Sequence, residues 1–121
     1  QFFEEDFDAE LEPERATESL LAKVERLAPF GEKNNKPGFL FKACTITRVS
    51  YFGKGNEHVK IEIQQDFGRL EAVTFFAKGD IAKVAKTLKI GARADITGHL
   101  ERDQFSRKNQ PRLRLLDIVQ A

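Results

Sequence analysis

From Glu57 to Gln65 the sequence EHVKIEIQQ places Val59, Ile61 and Ile63 on one face of an extended chain and His58, Lys60, Glu62 and Gln64 on the other. A period of two marks a strand with one side in a core and one side outside it. The same texture recurs on both sides of this segment. It predicts a first strand over Phe39–Phe52, a third over Leu70–Phe76, a fourth over Ala92–Arg102 and a fifth over Arg112–Val119. In the fourth strand Ala92, Ala94, Ile96, Gly98 and Leu100 share a face. DFGR (Asp66–Arg69) reads as the turn between the second and third strands, and YFGKGN as the hairpin turn between the first and second. One segment breaks the pattern. In GDIAKVAKTL (Gly79–Leu88), Ile81, Val84, Ala85 and Leu88 recur at helical spacing, with Asp80 as a candidate cap.

The resulting order is three strands, a helix and two strands. It predicts a mostly β chain: a five-stranded OB-fold Greek-key barrel with a short helix between strands three and four. A long first strand suits that architecture, because it must pair in both halves of the barrel. Gly98 in mid-strand suits a tight bend at a barrel corner.

Ahead of the barrel, residues 13–28 predict a helix. Pro13 fits the first helical position, acidic residues favour its N-terminal end, and Leu20, Leu21, Val24, Leu27 and Ala28 form one apolar face. Pro29 and Gly31 end it. Residues 1–12, QFFEEDFDAELE, mix Phe2, Phe3, Phe7 and Leu11 with acids and read as a solvated or interfacial leader. The chain therefore divides into a lead-in, helix and connector over residues 1–38 and a barrel over residues 39–121.

Charge follows the same division. Residues 1–32 carry ten acids against three bases, and residues 33–121 carry 17 bases against nine acids, so a net charge of +1 conceals an acidic leader and a basic body. A basic body favours a polyanionic partner. No apolar run approaches the roughly 20 residues of a membrane helix. The acidic N-terminus is not a signal peptide. The chain contains no Met and does not start with one, and so reads as a fragment of a longer protein. Cys44 is the single cysteine, within a strand, which excludes an internal disulfide and suits a small apolar strand residue in a reducing, cytoplasmic setting.

Nothing in the pattern supports catalysis. His58 and His99 are far apart and begin no metal-spaced pair, and no nucleophile or paired-carboxylate motif occurs. Binding fits better. OB-folds grip single strands between the loop joining strands one and two and the loop joining strands four and five. Here the first loop offers Tyr51, Phe52 and Lys54, and the second Arg102, Phe105, Arg107, Lys108 and Arg112. Lys60, Arg93 and Arg114 are outward strand positions that extend a track for the nucleic-acid backbone. An aromatic face accepts a base, and a cation accepts a phosphate.

The connector VERLAPFGEKNNKPGF closely matches a pattern of the C-terminal OB domain of the RecJ single-stranded-DNA exonuclease family. Pro29, Phe30, Gly31, Asn34, Pro37 and Phe39 stand at the matching positions. FDAEL, EHVKIEI, EAVTFF and PRLRLLDIV are similar to further stretches of that family, so the resemblance runs from about Phe7 to Val119. Lys33 departs from it, standing where the family has a second glycine. The resemblance implies a single-stranded-DNA-binding module, acting in repair and recombination. It further implies a parent enzyme that degrades DNA from the 5′ end with Mn²⁺ or Mg²⁺ held in preceding catalytic DHH-type domains. The Asp-His-His motifs of those domains are absent here, so no catalytic residue, metal ligand or cofactor is expected in this fragment. A structural or protein-interaction domain that recruits a repair partner, and an OB module of another nucleic-acid enzyme, are the alternatives.

Overall fold

The computed structural model describes residues 7–28, 30, 36–106 and 108–120. Strands β1 (Ala9–Glu10), β2 (Gly38–Phe52), β3 (His58–Gln65), β4 (Gly68–Thr74), β5 (Arg93–Arg102) and β6 (Pro111–Gln120) form one sheet. Helices α1 (Glu18–Glu25) and α2 (Gly79–Thr87) complete it, with a 3-10 turn over Pro13–Arg15. The sheet order is β1-β2-β3-β4-β6-β5, and β5 pairs back onto β2. That return closes a five-stranded barrel in which β4 and β6 run parallel and the other barrel pairs antiparallel. This is the OB-fold that the strand order predicts.

The long strand β2 serves both halves. Gly38 to Thr45 pair with β5, and Thr45 to Phe52 pair with β3. The change of neighbour follows a bulge between Phe41 and Cys44, where Ala43 takes a φ of 52° and donates its N–H to Asp95 Oδ1 at 2.8 Å. An extra residue in a left-handed conformation bends a strand in this way. On β5 the corner is at Gly98. A Cβ there would sit 2.5 Å from the Arg114 carbonyl oxygen and 2.6 Å from Leu113 Cγ, and the β5–β6 register shifts between Thr97 and Gly98. The same shift sets the closing strand. Leu113 and Leu115 face inward, Leu116 is turned out, and Ile118 returns to the core.

Inside the barrel Phe41, Cys44, Ile46, Val59, Ile61, Ile63, Ile96 and Leu100 are buried. Burial, and secondarily Asp95, pushes the Cys44 thiol up to about 11, so it packs as a small apolar residue.

The helices close opposite ends of the barrel. α1 lies where β5 finishes, tied to its last residue Arg102, and α2 leads into its first residue Arg93. Residues 13–28 are not the continuous helix predicted from the sequence. Thr17 interrupts it, as its Oγ1 accepts the Leu20 N–H at 3.2 Å and starts α1 afresh. A threonine whose hydroxyl bonds the backbone competes with helix continuation and favours the cap. The 3-10 turn before it lies against Gly68, where any Cβ would overlap the Glu14 backbone. Leu21 and Val24 join the core, whereas Leu27 and Ala28 stay exposed because α1 ends at Glu25.

Of the two expectations for the leader, residues 8–11 take the interfacial one, packing on the barrel. The Asp8 N–H donates to the Gly38 carbonyl at 2.7 Å, Asp8 Oδ2 accepts the Gly38 N–H at 2.8 Å, and the Leu11 N–H donates to the Leu40 carbonyl at 2.8 Å. The acid that marks the leader in sequence is thus a staple to the first barrel strand. At α2, Asp80 is not the cap. Lys78 occupies that position without a side-chain bond, and Asp80 lies in the first turn, where the helix dipole favours a carboxylate.

Candidate nucleic-acid interface

The outward positions of β3, β4, β5 and β6 form one wall. The registers place Lys60 beside Val73, Val73 beside Arg114, Arg114 beside His99 and Arg112 beside Glu101. Above this wall the loop between β5 and β6 arches back. Between them is a hollow of about 690 Å³ lined by Phe52, Lys60, Phe75, Phe105 and Arg112, among others. A second hollow of about 420 Å³ shares Phe75, Phe105 and Arg112 and runs on to Leu21, Val24 and Phe30 beside α1. The two form one groove.

Its aromatic floor is organised around His58. The His58 ring centroid lies 5.1 Å from Phe52, 5.1 Å from Phe75 and 4.6 Å from Phe76. Phe52 meets Phe75 edge-on at 5.9 Å. His58 Nδ1 accepts the Phe76 N–H at 3.0 Å, which leaves the ring proton on Nε2 in the neutral form. Gly53 has to lack a Cβ, because one would collide with this ring. In the sequence His58 is an outward strand residue, and Phe75 and Phe76 are the end of a strand. No residue pattern signals that the three meet, since the register of two strands and a turn brings them together.

The opposite bank is formed by residues 103–106 and 108–110 of the loop between β5 and β6. Asp103 Oδ1 accepts the Phe105 N–H at 3.0 Å, and the Asp103 N–H donates to the Gln110 carbonyl at 2.8 Å. Bracing the backbone this way leaves the Phe105 ring 90% exposed. An aromatic held in water over a groove is a ready stacking surface.

The cations of the groove are largely answered by acids. Arg112 Nε donates to Glu101 Oε2 at 2.7 Å, and its Nη1 lies 3.3 Å from Asp103 Oδ1. Arg114 reaches the same Glu101 oxygen at 3.2 Å. Arg102 donates to Glu18 and Glu25 on α1, and hydrogen bonding to its guanidinium holds both carboxyls below their ordinary range. The arginines also cover an aromatic, with Arg114 Cζ 4.5 Å and Arg112 Cζ 5.5 Å from the Phe75 centroid. Lys60 Nζ is 5.7 Å from Phe52. Among the described residues five bases and four acids line the two hollows, close to a balance of charge.

The structure therefore brings together Phe52, Lys60, Phe105, Arg112 and Arg114 of the sequence-predicted residues, with Arg102 at the α1 end. Tyr51 is exposed, pairing with Val59 on the other side of β2, and Lys54 is exposed in the turn at its end. Lys108 is exposed on the arching loop, while Arg107 lies outside the described residues. Arg93 is not brought to the groove: it borders a separate hollow with Ala43, Thr45 and Gln64, at the start of β5. Of the connector motif, Phe39 is core, Phe30 borders the groove, and the Pro37 carbonyl accepts the His99 Nδ1–H at 2.9 Å. Pro29, Gly31 and Asn34 lie outside the described residues, as does Lys33.

Among the described residues no group of three or more His, Cys, Asp or Glu is placed to hold a metal ion, and no helix is long and apolar enough to cross a membrane.

Comparison with known proteins bears on family and fold. A protein described as the single-stranded-DNA-specific exonuclease RecJ of Bacillus subtilis (strain 168) is 28% identical over 106 residues, which are 88% of this chain and 13% of that protein. The chain thus spans about an eighth of the length of that relative. Solved structures share the fold at low identity. One is the S. pombe Stn1–Ten1 complex, with TM-score 0.54 and 11% identity over 69% of this chain and 57% of that one. Another is an aspartyl-tRNA synthetase from Entamoeba histolytica, with TM-score 0.55 and 15% identity over 96% of this chain and 25% of that one. The family profile described as RecJ OB domain matches residues 7–117, and the chain belongs to that family.

Proposed function

We propose that this chain is the single-stranded-DNA-binding domain of a RecJ-type exonuclease acting in cytoplasmic DNA repair and recombination. The observation that carries the reading is the exposed ring of Phe105 held across a groove from Phe52 and Phe75. Bases entering from solvent stack on Phe105 and Phe52, and Lys60 contacts the sugar–phosphate backbone beside them. A duplex is disfavoured, because its bases are already stacked and paired and offer no free face to the groove.

The chemistry of hydrolysis belongs to DHH-type domains of the same parent protein, which use Mn²⁺ or Mg²⁺. In this reading the present chain grips and orients the strand. A second reading, a module that braces catalytic domains or recruits a repair protein, is favoured by the near balance of charge among the described residues of the groove.

Fluorescence anisotropy of a labelled oligothymidine, against a duplex of equal length across a salt series, separates the two. The first reading predicts tighter binding to the single strand and an affinity that falls with salt. Equal affinity for both, or none for either, leaves the bracing role.

A further inference from the structure

Among the described residues, the groove does not hold the basic surplus that the sequence promises. Residues 78–93 carry five bases, Lys78, Lys83, Lys86, Lys89 and Arg93, against the single acid Asp80. That is half of the excess of residues 33–121. All five are exposed, and among the described residues none is in an ion pair. On α2, Ile81, Val84, Ala85 and Leu88 face the core, so helical geometry aims Lys83 and Lys86 at solvent from the opposite side.

This segment begins where the groove ends. Phe76 touches the ring of His58, which forms the floor with Phe52 and Phe75. Its backbone has a φ of 53°, unusual for a bulky residue, and its ring is 59% exposed. Two bonds impose that conformation: the Phe76 N–H to His58 Nδ1 at 3.0 Å, and the Ala77 N–H to the Glu57 carbonyl at 2.9 Å. An exposed aromatic kept at positive φ by its neighbours points to function at that position.

We infer that a single strand leaving the groove passes over Phe76 and lays its phosphates along the lysine face of α2. The inference rests on the reading that the groove holds single-stranded DNA. It assigns two tasks to two regions: the groove stacks bases, and the helix neutralises phosphates. Arg112 and Arg114 must first release Glu101 to meet a phosphate, whereas Lys83 and Lys86 have no such partner to release.

The test compares oligothymidines of about 4 and about 16 nucleotides, the span of site sizes known for OB-folds. They are titrated with the wild-type chain, with Lys83→Glu/Lys86→Glu, and with the matched reversal Arg15→Glu/Lys23→Glu on the exposed N-terminal segment. The α2 variant should bind the long oligomer roughly tenfold more weakly, with a salt slope lower by about 1.4 for two lost phosphate contacts. It should bind the short one as wild type does, and the matched reversal should leave the salt slope unchanged. Unaltered long-oligomer binding, equal losses at both lengths, or the same loss from the matched reversal each overturns the exit path while leaving the groove reading intact. Failure of the wild type to bind either oligomer overturns the groove reading, and the exit path with it.

Discussion

The two ends of this barrel are closed by helices of similar length that handle charge in opposite ways. At the α1 end, Arg102 is shared between Glu18 and Glu25, and Arg112 between Glu101 and Asp103. At the α2 end, five cations stand exposed with no ion pair among the described residues. Paired cations fix geometry: they hold α1 beneath the arching loop and hold Arg112 and Arg114 over Phe75. Unpaired cations are available to a polyanion without first losing a partner. Net charge counted along a sequence does not distinguish the two uses.

The comparison is broken most forcefully at the apolar seat of each helix. Leu21 on α1 is fully buried, so Leu21→Ala should cost about 2–5 kcal/mol, read from urea unfolding. Val84 on α2 is only partly buried, and Val84→Ala should cost less than half as much. Equal losses would mean that the two helices close the barrel alike. The next effect concerns binding. Phe105→Ala should weaken oligothymidine binding by about 1–3 kcal/mol, one stacked base, while the unfolding midpoint stays at its wild-type value because the ring is exposed.

A smaller effect sharpens the contrast of charges. Arg112→Gln leaves Glu101 and Asp103 in the groove with one partner fewer. Affinity should fall, yet the salt slope should change by less than one phosphate's share, about 0.7. A larger change would show that Arg112 contacts phosphate directly despite its carboxylates. The smallest effect is one of pH. The Glu18 and Glu25 carboxyls are held below 4.5 by hydrogen bonds to Arg102, so they bind protons less readily folded than unfolded. Their contribution is complete above pH 4.5 and is lost as pH falls through the lowered values. Arg102→Gln should therefore lower the melting temperature slightly at neutral pH and flatten its decline in acid; an unchanged acid decline would remove the tether from the account.

The barrel was legible because its determinants are local. Alternation in β3, helical spacing in α2 and the glycine at the β5 corner each act within a few residues. β1 was hidden because two residues that pair with a strand 30 positions away carry no period of their own. Thr17 split the predicted helix ahead of its apolar stripe, since a cap competes through one hydroxyl. Phe105, Lys60 and Phe52 were readable as loop and strand positions of a binding fold. Phe75, Phe76 and His58 were not, because their meeting depends on the β3–β4 register and on the turn at Gly53. The ion pairs of Arg102 were unreadable for a related reason: the carboxylates that answer it come from α1, more than 70 residues away in sequence.

The central claim is that bases occupy the groove between Phe105 and the His58 floor. Backbone amide NMR of the ¹⁵N-labelled chain during titration with oligothymidine tests it most directly. The account predicts the largest shifts at Phe52, His58, Lys60, Phe75 and Phe105, with little change at Ala9, Glu10 and Leu116. Shifts concentrated on β1 and around Leu116, with the groove amides unmoved at saturation, would contradict it.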